Sequence, residues 1–129
     1  QNLMFSLLVR YGQNGIQELS ASCQKSISDA VAYSVIDYLC SKGVKGTWMK
    51  EPNDVWVYDK KICGILIEHR VRAGMLLESI IGVGLNLNQR AFPEDLPNPV
   101  SLGLITGTDY DPAAELPLLL EHLGRRLSF

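Results

Sequence analysis

Three short apolar segments follow one another in the middle of the chain, at residues 54–58, 61–68 and 75–86. Each has the length of a β-strand, and the polar connections between them are too short to hold a helix. Strands joined by such short turns pair antiparallel, because a parallel pair needs a crossover of about a dozen residues or more. The sequence therefore predicts an antiparallel meander, with turns at residues 59–60 and 69–74.

Further elements are predicted on both sides of this meander. Residues 3–9 form an apolar run of strand length. Apolar residues recur with a helical period between residues 22 and 42, and Gly43 follows where a helix end favours a left-handed residue. Asp111-Pro112 marks the start of a last helix, and residues 91–99 are expected to form a loop. This order predicts an α+β fold, a mixed, largely antiparallel sheet with helices packed on one face.

Composition excludes several classes of protein. A chain of 129 residues, 47% of them hydrophobic, suits a single domain at residues 1–129 and excludes disordered and fibrous proteins. The net charge of −2, without a cationic run, argues against nucleic acid as a partner. No apolar stretch reaches the roughly 20 residues that span a bilayer, so no membrane partner is expected. Three widely spaced cysteines suit a reducing environment, and we expect a cytoplasmic protein.

A candidate binding surface follows from residues 82–88, which read GVGLNLN. Alternate side chains of a strand point to opposite faces, so the valine and the two leucines face the core. The other face then carries Gly82, Gly84, Asn86 and Asn88. Glycine inside a strand is expected where a ligand or another backbone approaches closely, which suits the floor of a groove. The alternative is that these glycines only accommodate a bulge or a packed helix.

Polar residues around the second apolar segment are candidates for chemistry. Lys61 opens a buried run, and an ammonium there can reach an anionic ligand held over the sheet. Alternatively, Lys60 and Lys61 are a solvated hairpin tip. Asp54 suits Mg²⁺, which prefers carboxylate oxygens and substrate phosphates, although Asn53 and Asp54 equally suit a simple turn. Cys63 is expected to be an inert, packed thiol.

Three motifs carry a resemblance to a known family. They are KEPND at residues 50–54, KKICGILIE at residues 60–68 and IGVGLNLNQ at residues 81–89. In this order and spacing they closely resemble the catalytic domain of biotin protein ligases, whose motifs read approximately KWPND, KK(L/I)(A/C)GIL(V/I)E and (V/I)GIGxNxN. The resemblance covers nearly the whole chain. It implies the fold of biotin and lipoate protein ligases, which is similar to that of class II aminoacyl-tRNA synthetases.

The resemblance also implies the activity of a biotin–[acetyl-CoA-carboxylase] ligase, which uses ATP, Mg²⁺ and biotin. In the first step the biotin carboxylate attacks the α-phosphorus of ATP, giving biotinyl-5′-AMP and pyrophosphate. In the second step the adenylate acylates a lysine of a biotin carboxyl carrier protein.

Site residues follow from the same resemblance. Lys61 matches the catalytic lysine beside the carboxylate and the α-phosphate. Asn53 and Asp54 match positions near the triphosphate, where Asp54 would transiently bind Mg²⁺. The remaining matches are Gly64, Gly82 and Gly84 along the biotin pocket, and Asn86 at the adenine.

The chain departs from the family pattern at two places. Glu51 replaces the tryptophan of KWPND, which leaves open whether Lys50 enters a local ion pair. The Gly- and Arg-rich loop of the family would lie before Asn2, so we expect a partial catalytic domain, incomplete at its N-terminus, that binds biotin weakly and catalyses poorly alone. Without the strands that lead up to it, the sheet would expose an edge and apolar surface. Both favour self-association, and a homodimer is one expectation.

Two other functions remain open from the sequence. Lipoate ligases and octanoyltransferases have a similar fold and also acylate a carrier lysine, although the PND and GVGLN motifs favour biotin. A second alternative is a non-catalytic binding module that keeps ligand contacts without activity.

Overall fold

The computed structural model describes residues 2–96 and 98–127, which build one sheet covered by helices. The strands, in chain order, are β1 (Leu3–Arg10), β2 (Thr47–Lys50), β3 (Asp54–Val57), β4 (Lys60–Arg72) and β5 (Met75–Leu85). They lie in the order β1-β5-β4-β3-β2, and every neighbouring pair is antiparallel. The predicted meander is therefore confirmed, because β3, β4 and β5 are consecutive in both chain and sheet.

Three α-helices accompany the sheet among the described residues, and a short 3-10 helix (Ala21–Cys23) precedes the first of them. The α-helices are α1 (Gln24–Ser41), α2 (Leu102–Thr106) and α3 (Pro112–Leu127). Gly43 follows α1 with a φ of 83°, a left-handed conformation that favours glycine, as the sequence predicts. The last helix begins at Pro112, where proline is tolerated because the first helical N–H groups have no intrahelical partner. No helix among the described residues is long and apolar enough to cross a membrane.

The two faces of the sheet differ in what covers them. Helix α1 packs on β2, β3 and β4 and against α3. Along β5 the side chains of Ile81, Val83 and Leu85 are buried, whereas that of the preceding Ile80, on the other face, is 42% exposed. We call the covered side the helix face and the other side the open face. Helices on one face of an antiparallel sheet confirm the predicted α+β fold.

The prediction for the second turn of the meander is wrong. The turn expected at residues 69–74 is much shorter, since β4 continues to Arg72 and the chain reverses at Ala73 and Gly74, both at positive φ. Near this turn, β4 and β5 are held together by backbone pairing and by an ion pair between Arg70 and Glu78. The side chains of β4 there are mainly polar, so the apolar pattern used to predict strands does not identify this part of it.

The short strand β2 was also not predicted. Its four residues pair with β3, and Trp48 lies opposite Trp56 with the ring centroids 5.8 Å apart. Such a cross-strand aromatic pair stabilises a short edge strand that its own sequence would not specify.

The loop expected at residues 91–99 forms no helix among its described residues, but its end is fixed to the sheet. The backbone N–H of Lys61 donates to the carbonyl of Asn98 at 2.8 Å, and the N–H of Val100 donates to the carbonyl of Lys61 at 2.9 Å. The loop therefore stands beside the start of β4.

Candidate functional site

A row of paired residues crosses the open face of the sheet and contains two glycines. Met4 on β1 pairs with Gly84 on β5, Gly84 pairs with Gly64 on β4, and Gly64 pairs with Asp54 on β3. In the next such row Gly82 lies between Ser6 and Leu66. We call Gly64, Gly82 and Gly84 together the glycine patch.

The glycine patch leaves the backbone of the central strands uncovered. A Cβ atom built on Gly84 would lie 3.9 Å from the carbonyl oxygen of Gly64 and 4.0 Å from Met4 Cε, which is ordinary contact. One built on Gly82 would lie 3.3 Å from the carbonyl oxygen of Leu66, which is tighter. These two glycines therefore do not accommodate a packed helix, and the space above them is open to a flat ligand.

Two cavities meet over this patch. One has a volume of about 300 Å³ and is lined by Lys61, Gly64, Gly84 and Asn86 together with residues of the 91–99 loop. The other has a volume of about 770 Å³ and adds Asp54 and Gly82. Both are lined by Met4, Lys61, Gly64 and Gly84. The predicted lysine and all three glycines thus line the larger cavity, and Lys61, Gly64 and Gly84 also line the smaller one.

The charged groups of the site lie at its β3 side. Lys61 Nζ is 3.4 Å from Asp54 Oδ1, with the two side chains 38% and 29% exposed. A Cβ atom built on Gly64 would lie 3.7 Å from Lys61 Nζ and 4.0 Å from Asp54 Oδ1, so both charges stand beside the glycine patch. An ammonium in this position can reach an anion placed over the patch.

Asn86 is held in a defined orientation at the other end of the smaller cavity. Its backbone N–H donates to the carbonyl of Ile62 at 2.9 Å, and its carbonyl accepts from the N–H of Leu102 at 3.0 Å. Its side-chain Nδ2 donates to the carbonyl of Val100 at 3.1 Å. The amide oxygen therefore belongs to a fixed side chain and is a candidate acceptor for a ligand amine.

Asn53 is the one predicted site residue whose side chain is engaged elsewhere. Its Oδ1 accepts a hydrogen bond from Ser28 Oγ at 2.5 Å, which ties the turn before β3 to helix α1. Its carbonyl accepts from the N–H of Ile65 at 3.0 Å. Neither cavity over the glycine patch is lined by Asn53.

Several lining residues were missed by the sequence reasoning. They are Asn2, Met4, Gln89, Phe92, Leu96 and Pro99. Asn2 Oδ1 accepts from the N–H of Leu87 at 2.9 Å, and Asn2 Nδ2 donates to Gln89 Oε1 at 2.7 Å. These bonds join the start of β1 to the segment after β5. No local pattern reveals them, because 85 and 87 residues separate the partners.

The structure answers the question left open by Glu51. Lys50 Nζ lies 4.5 Å from the centroid of the Trp56 ring, a cation–π contact on the open face. Glu51 Oε1 instead lies 3.8 Å from Lys25 Nζ at the start of α1. Lys50 thus contacts an aromatic ring, and the carboxylate that replaces the family tryptophan faces the helix.

Cys63 is packed, as the sequence predicts. It is buried among the core side chains, and burial raises the pKa of its thiol to about 12. A thiol that stays protonated at neutral pH is a poor nucleophile and a poor metal ligand. No group of three or more His, Cys, Asp and Glu side chains that could hold a metal occurs within residues 2–96 and 98–127.

Comparison with known proteins agrees with this geometry. Residues 1–86 match the model of the biotin/lipoate A/B protein ligase family. The bifunctional ligase/repressor BirA of Bacillus spizizenii is 35% identical over 77 residues, which are 57% of this chain and 24% of the relative. BirA of Salmonella typhimurium is 31% identical over 72 residues, 56% of this chain and 22% of the relative.

Solved structures match over a longer range. The biotin protein ligase of Aquifex aeolicus in complex with biotin and ATP is 28% identical, with a TM-score of 0.76 over 98% of this chain and 50% of that protein. The apo structure of the same ligase gives a TM-score of 0.76 and covers 53% of that protein. This chain therefore spans about half of these solved chains and about a quarter of the curated relatives. On the family match and the shared fold, the chain belongs to the biotin/lipoate A/B protein ligase family.

Proposed function

We propose that this chain is a partial catalytic domain of a biotin protein ligase, occupying residues 1–129 as one domain. The activity would be ATP-dependent formation of biotinyl-5′-AMP from biotin, followed by transfer of the biotinyl group to a lysine of a biotin carboxyl carrier protein. The observation that carries the proposal is the convergence of Lys61 and the glycine patch on the same space. The Aquifex ligase, a structural relative at 28% identity, was solved with biotin and ATP.

Lys61 is the proposed catalytic residue. In the first step a carboxylate oxygen forms a bond to the α-phosphorus while the bond to pyrophosphate breaks, so two anions meet and negative charge grows. An ammonium already positioned at that point stabilises the developing charge without reorganisation. Lys61 meets this requirement because its Nζ stands beside Gly64, at the wall shared by both cavities.

The glycine patch is the proposed floor for the acyl adenylate. With no side chains at Gly64, Gly82 and Gly84, a flat bicyclic ring can approach the backbone of β4 and β5 closely. Asn86 would accept a hydrogen bond from the adenine amine in the smaller cavity, because its own Nδ2 already donates to Val100.

Asp54 is the proposed protein ligand of Mg²⁺. Mg²⁺ usually keeps several waters and binds through one or two carboxylates plus substrate phosphates, so a single carboxylate that is about a third exposed at the cavity fits this chemistry. The bound cation would neutralise the leaving pyrophosphate. Asn53, tied to Ser28, would act by holding the turn that presents Asp54.

The proposed partners follow from the same reaction. The carrier domain would present its lysine at the open face, where the adenylate is held. The free thiols of Cys23, Cys40 and Cys63 suit a reducing compartment, and we propose the cytoplasm, where ATP is also available. Both outer strands, β1 and β2, carry a sheet edge, and a homodimer formed through such an edge remains part of the proposal.

A labelling assay tests this function. The native protein is incubated with ATP, Mg²⁺, biotin and an apo carrier domain, and covalent biotin is detected by mass spectrometry. We expect a mass increase on one carrier lysine that disappears in Lys61→Ala. Failure of the complete native protein to label the carrier, while it still binds biotin, would favour a non-catalytic binding module.

A lipoate- or octanoate-transferring enzyme is the second candidate. The family match covers both biotin and lipoate ligases, and the smaller cavity is lined partly by the apolar side chains of Met4, Phe92 and Leu96. The same assay separates the two, because a lipoate ligase would modify a lipoyl carrier with lipoate or octanoate and leave biotin unused.

A further inference from the structure

Lys61 and Asp54 contact each other, although the proposed function requires each of them to contact a different ligand. Lys61 Nζ lies 3.4 Å from Asp54 Oδ1. In the reaction the ammonium is needed by the acyl carboxylate and the phosphate, whereas the carboxylate is needed by a cation. While Lys61 stays paired with Asp54, each offers its ligand a partly neutralised charge, so full use of both charges requires the two side chains to exchange partners when the site is filled.

The local geometry means that the two side chains need to move only a short distance to exchange partners. Asp54 and Gly64 are direct cross-strand partners on β3 and β4, and the Lys61 side chain reaches over the same glycine. Both side chains are roughly a third exposed, so each can turn toward the larger cavity, which both of them line. Because Gly64 has no side chain, nothing at that position separates the ion pair from the space above Gly82 and Gly84.

We propose that Asp54 is a counter-ion that restrains Lys61, and that a divalent cation bound by Asp54 releases the lysine, so that cation and acyl carboxylate bind cooperatively. This inference rests on the proposed function. An acyl carboxylate that enters alone must displace Asp54 from Lys61 and is repelled by the displaced charge. A cation on Asp54 removes both costs, and by linkage the acyl ligand strengthens binding of the cation to the same degree.

The expected size of the coupling follows from the exposure of the pair. Ion pairs between partly exposed side chains contribute modest free energies, which correspond to about a two- to fivefold change in an equilibrium constant. The coupling should therefore be measurable by direct binding and need no turnover.

The test compares biotin binding in four proteins by equilibrium dialysis with radiolabelled biotin. They are the native protein, Asp54→Asn, Lys61→Ala and the matched control Asp59→Asn. Asp59 is an exposed acid in the turn between β3 and β4 and lines a groove away from the glycine patch. Each protein is measured without nucleotide, with α,β-methylene-ATP and EDTA, and with α,β-methylene-ATP and Mg²⁺, because this analogue cannot release pyrophosphate.

Asp54→Asn should bind biotin about two- to fivefold more tightly than the native protein when metal and nucleotide are both absent. Mg²⁺ added with the analogue should strengthen biotin binding in the native protein and in Asp59→Asn, but not in Asp54→Asn. A residue that served only as a metal ligand would leave metal-free biotin binding unchanged. Circular dichroism checks folding, and Asp54→Ser replaces Asp54→Asn under the same criteria if the latter does not fold.

The outcomes separate this inference from the proposed function. If no protein binds biotin, the proposed function fails and the inference with it. If Lys61→Ala binds biotin as well as the native protein, Lys61 does not hold the acyl carboxylate before reaction and the inference is wrong, whereas the role of Lys61 in the transition state is tested by the rate of the first step. If Lys61→Ala weakens binding but Asp54→Asn shows no metal-free gain, or keeps the native response to Mg²⁺, the counter-ion role alone is wrong.

Discussion

Gly64 on β4 and Gly84 on β5 are direct cross-strand partners on the open face, and a methyl group built on Gly84 would lie 3.9 Å from the carbonyl oxygen of Gly64. Strand interiors rarely favour glycine, since it adds conformational entropy to the unfolded chain and no side-chain packing to the sheet. Two facing glycines in the central strands therefore lower the stability of the fold. Close approach of a ligand to the strand backbone explains why glycine occupies both positions.

Gly84→Ala should separate ligand binding from folding. The added methyl group meets only ordinary van der Waals contacts, so we expect the free energy of unfolding to stay the same or rise. Biotin affinity should fall at least about tenfold, because the methyl group occupies space that the bicyclic ring needs. Isothermal titration and urea denaturation measure the two quantities.

The matched control for this substitution is Gly124→Ala on helix α3. A Cβ atom there meets nothing within 4 Å, and helical alanine is favoured over glycine by about 1 kcal/mol. This variant should be more stable than the native protein, with biotin affinity unchanged. Unaltered biotin affinity in Gly84→Ala would contradict a ligand at the glycine patch.

Glu115→Ala should weaken the contact between α1 and α3. The nearly buried Glu115 carboxylate accepts a hydrogen bond from Tyr38 at 2.6 Å and pairs with Lys42 Nζ at 2.6 Å. Removing it leaves a buried hydroxyl and a largely buried ammonium without their partner, so we expect a loss of about 2–3 kcal/mol in urea denaturation.

Glu121→Ala is the corresponding control on the same helix. Glu121 pairs with Arg125, but both side chains are more than half exposed. Exposed pairs of this kind contribute at most about 1 kcal/mol, so the loss should be clearly smaller than for Glu115→Ala. Equal losses in the two variants would show that the buried contacts of Glu115 with Tyr38 and Lys42 contribute no more to the free energy of unfolding than an exposed ion pair does.

Because the pKa of Tyr38 is raised in the folded protein, we expect a loss of stability at high pH. Burial, and next its hydrogen bond to Glu115, raises the pKa of the phenol well above its usual range. The unfolded phenol ionises near pH 10 while the folded one stays protonated, so above about pH 10 the unfolded state is favoured by up to about 1.4 kcal/mol per pH unit. Below that pH the contribution of Tyr38 to stability is complete.

Tyr38→Phe should reduce this decline when unfolding is measured at about pH 8 and about pH 11. It should not remove the decline fully, because burial also raises the pKa of Tyr11. Tyr33→Phe, at an exposed tyrosine, should leave the decline as it is in the native protein. A Tyr38→Phe variant with the native decline would contradict this explanation.

The sequence predicted the elements whose apolar pattern matches their burial. The alternation along β5 correctly placed Val83 and Leu85 in the core and left Gly82 and Gly84 on the other face. The pattern alone left open whether Lys61 and these glycines belong to one site, and it was the resemblance of the three motifs to biotin protein ligases that implied it.

Other features lay beyond a local pattern. The outer half of β4 carries mainly polar side chains, so only its pairing with β5 identifies it as strand. The side chain of Asn53 is directed by Ser28, and the orientation of Asn86 depends on Val100. These contacts join parts of the chain that come together only after folding, and short motifs do not encode them.

The central claim is that the Lys61 ammonium stabilises charge at the α-phosphorus, and biotin-dependent exchange of labelled pyrophosphate into ATP tests it most directly. We expect Lys61→Ala in the complete native protein to lower the exchange rate by about 10²–10³-fold or more, with an unchanged circular dichroism spectrum. Lys60→Ala, which removes the neighbouring exposed ammonium away from the glycine patch, should exchange at the native rate. Native exchange by Lys61→Ala, or an equal loss in both variants, would contradict the account.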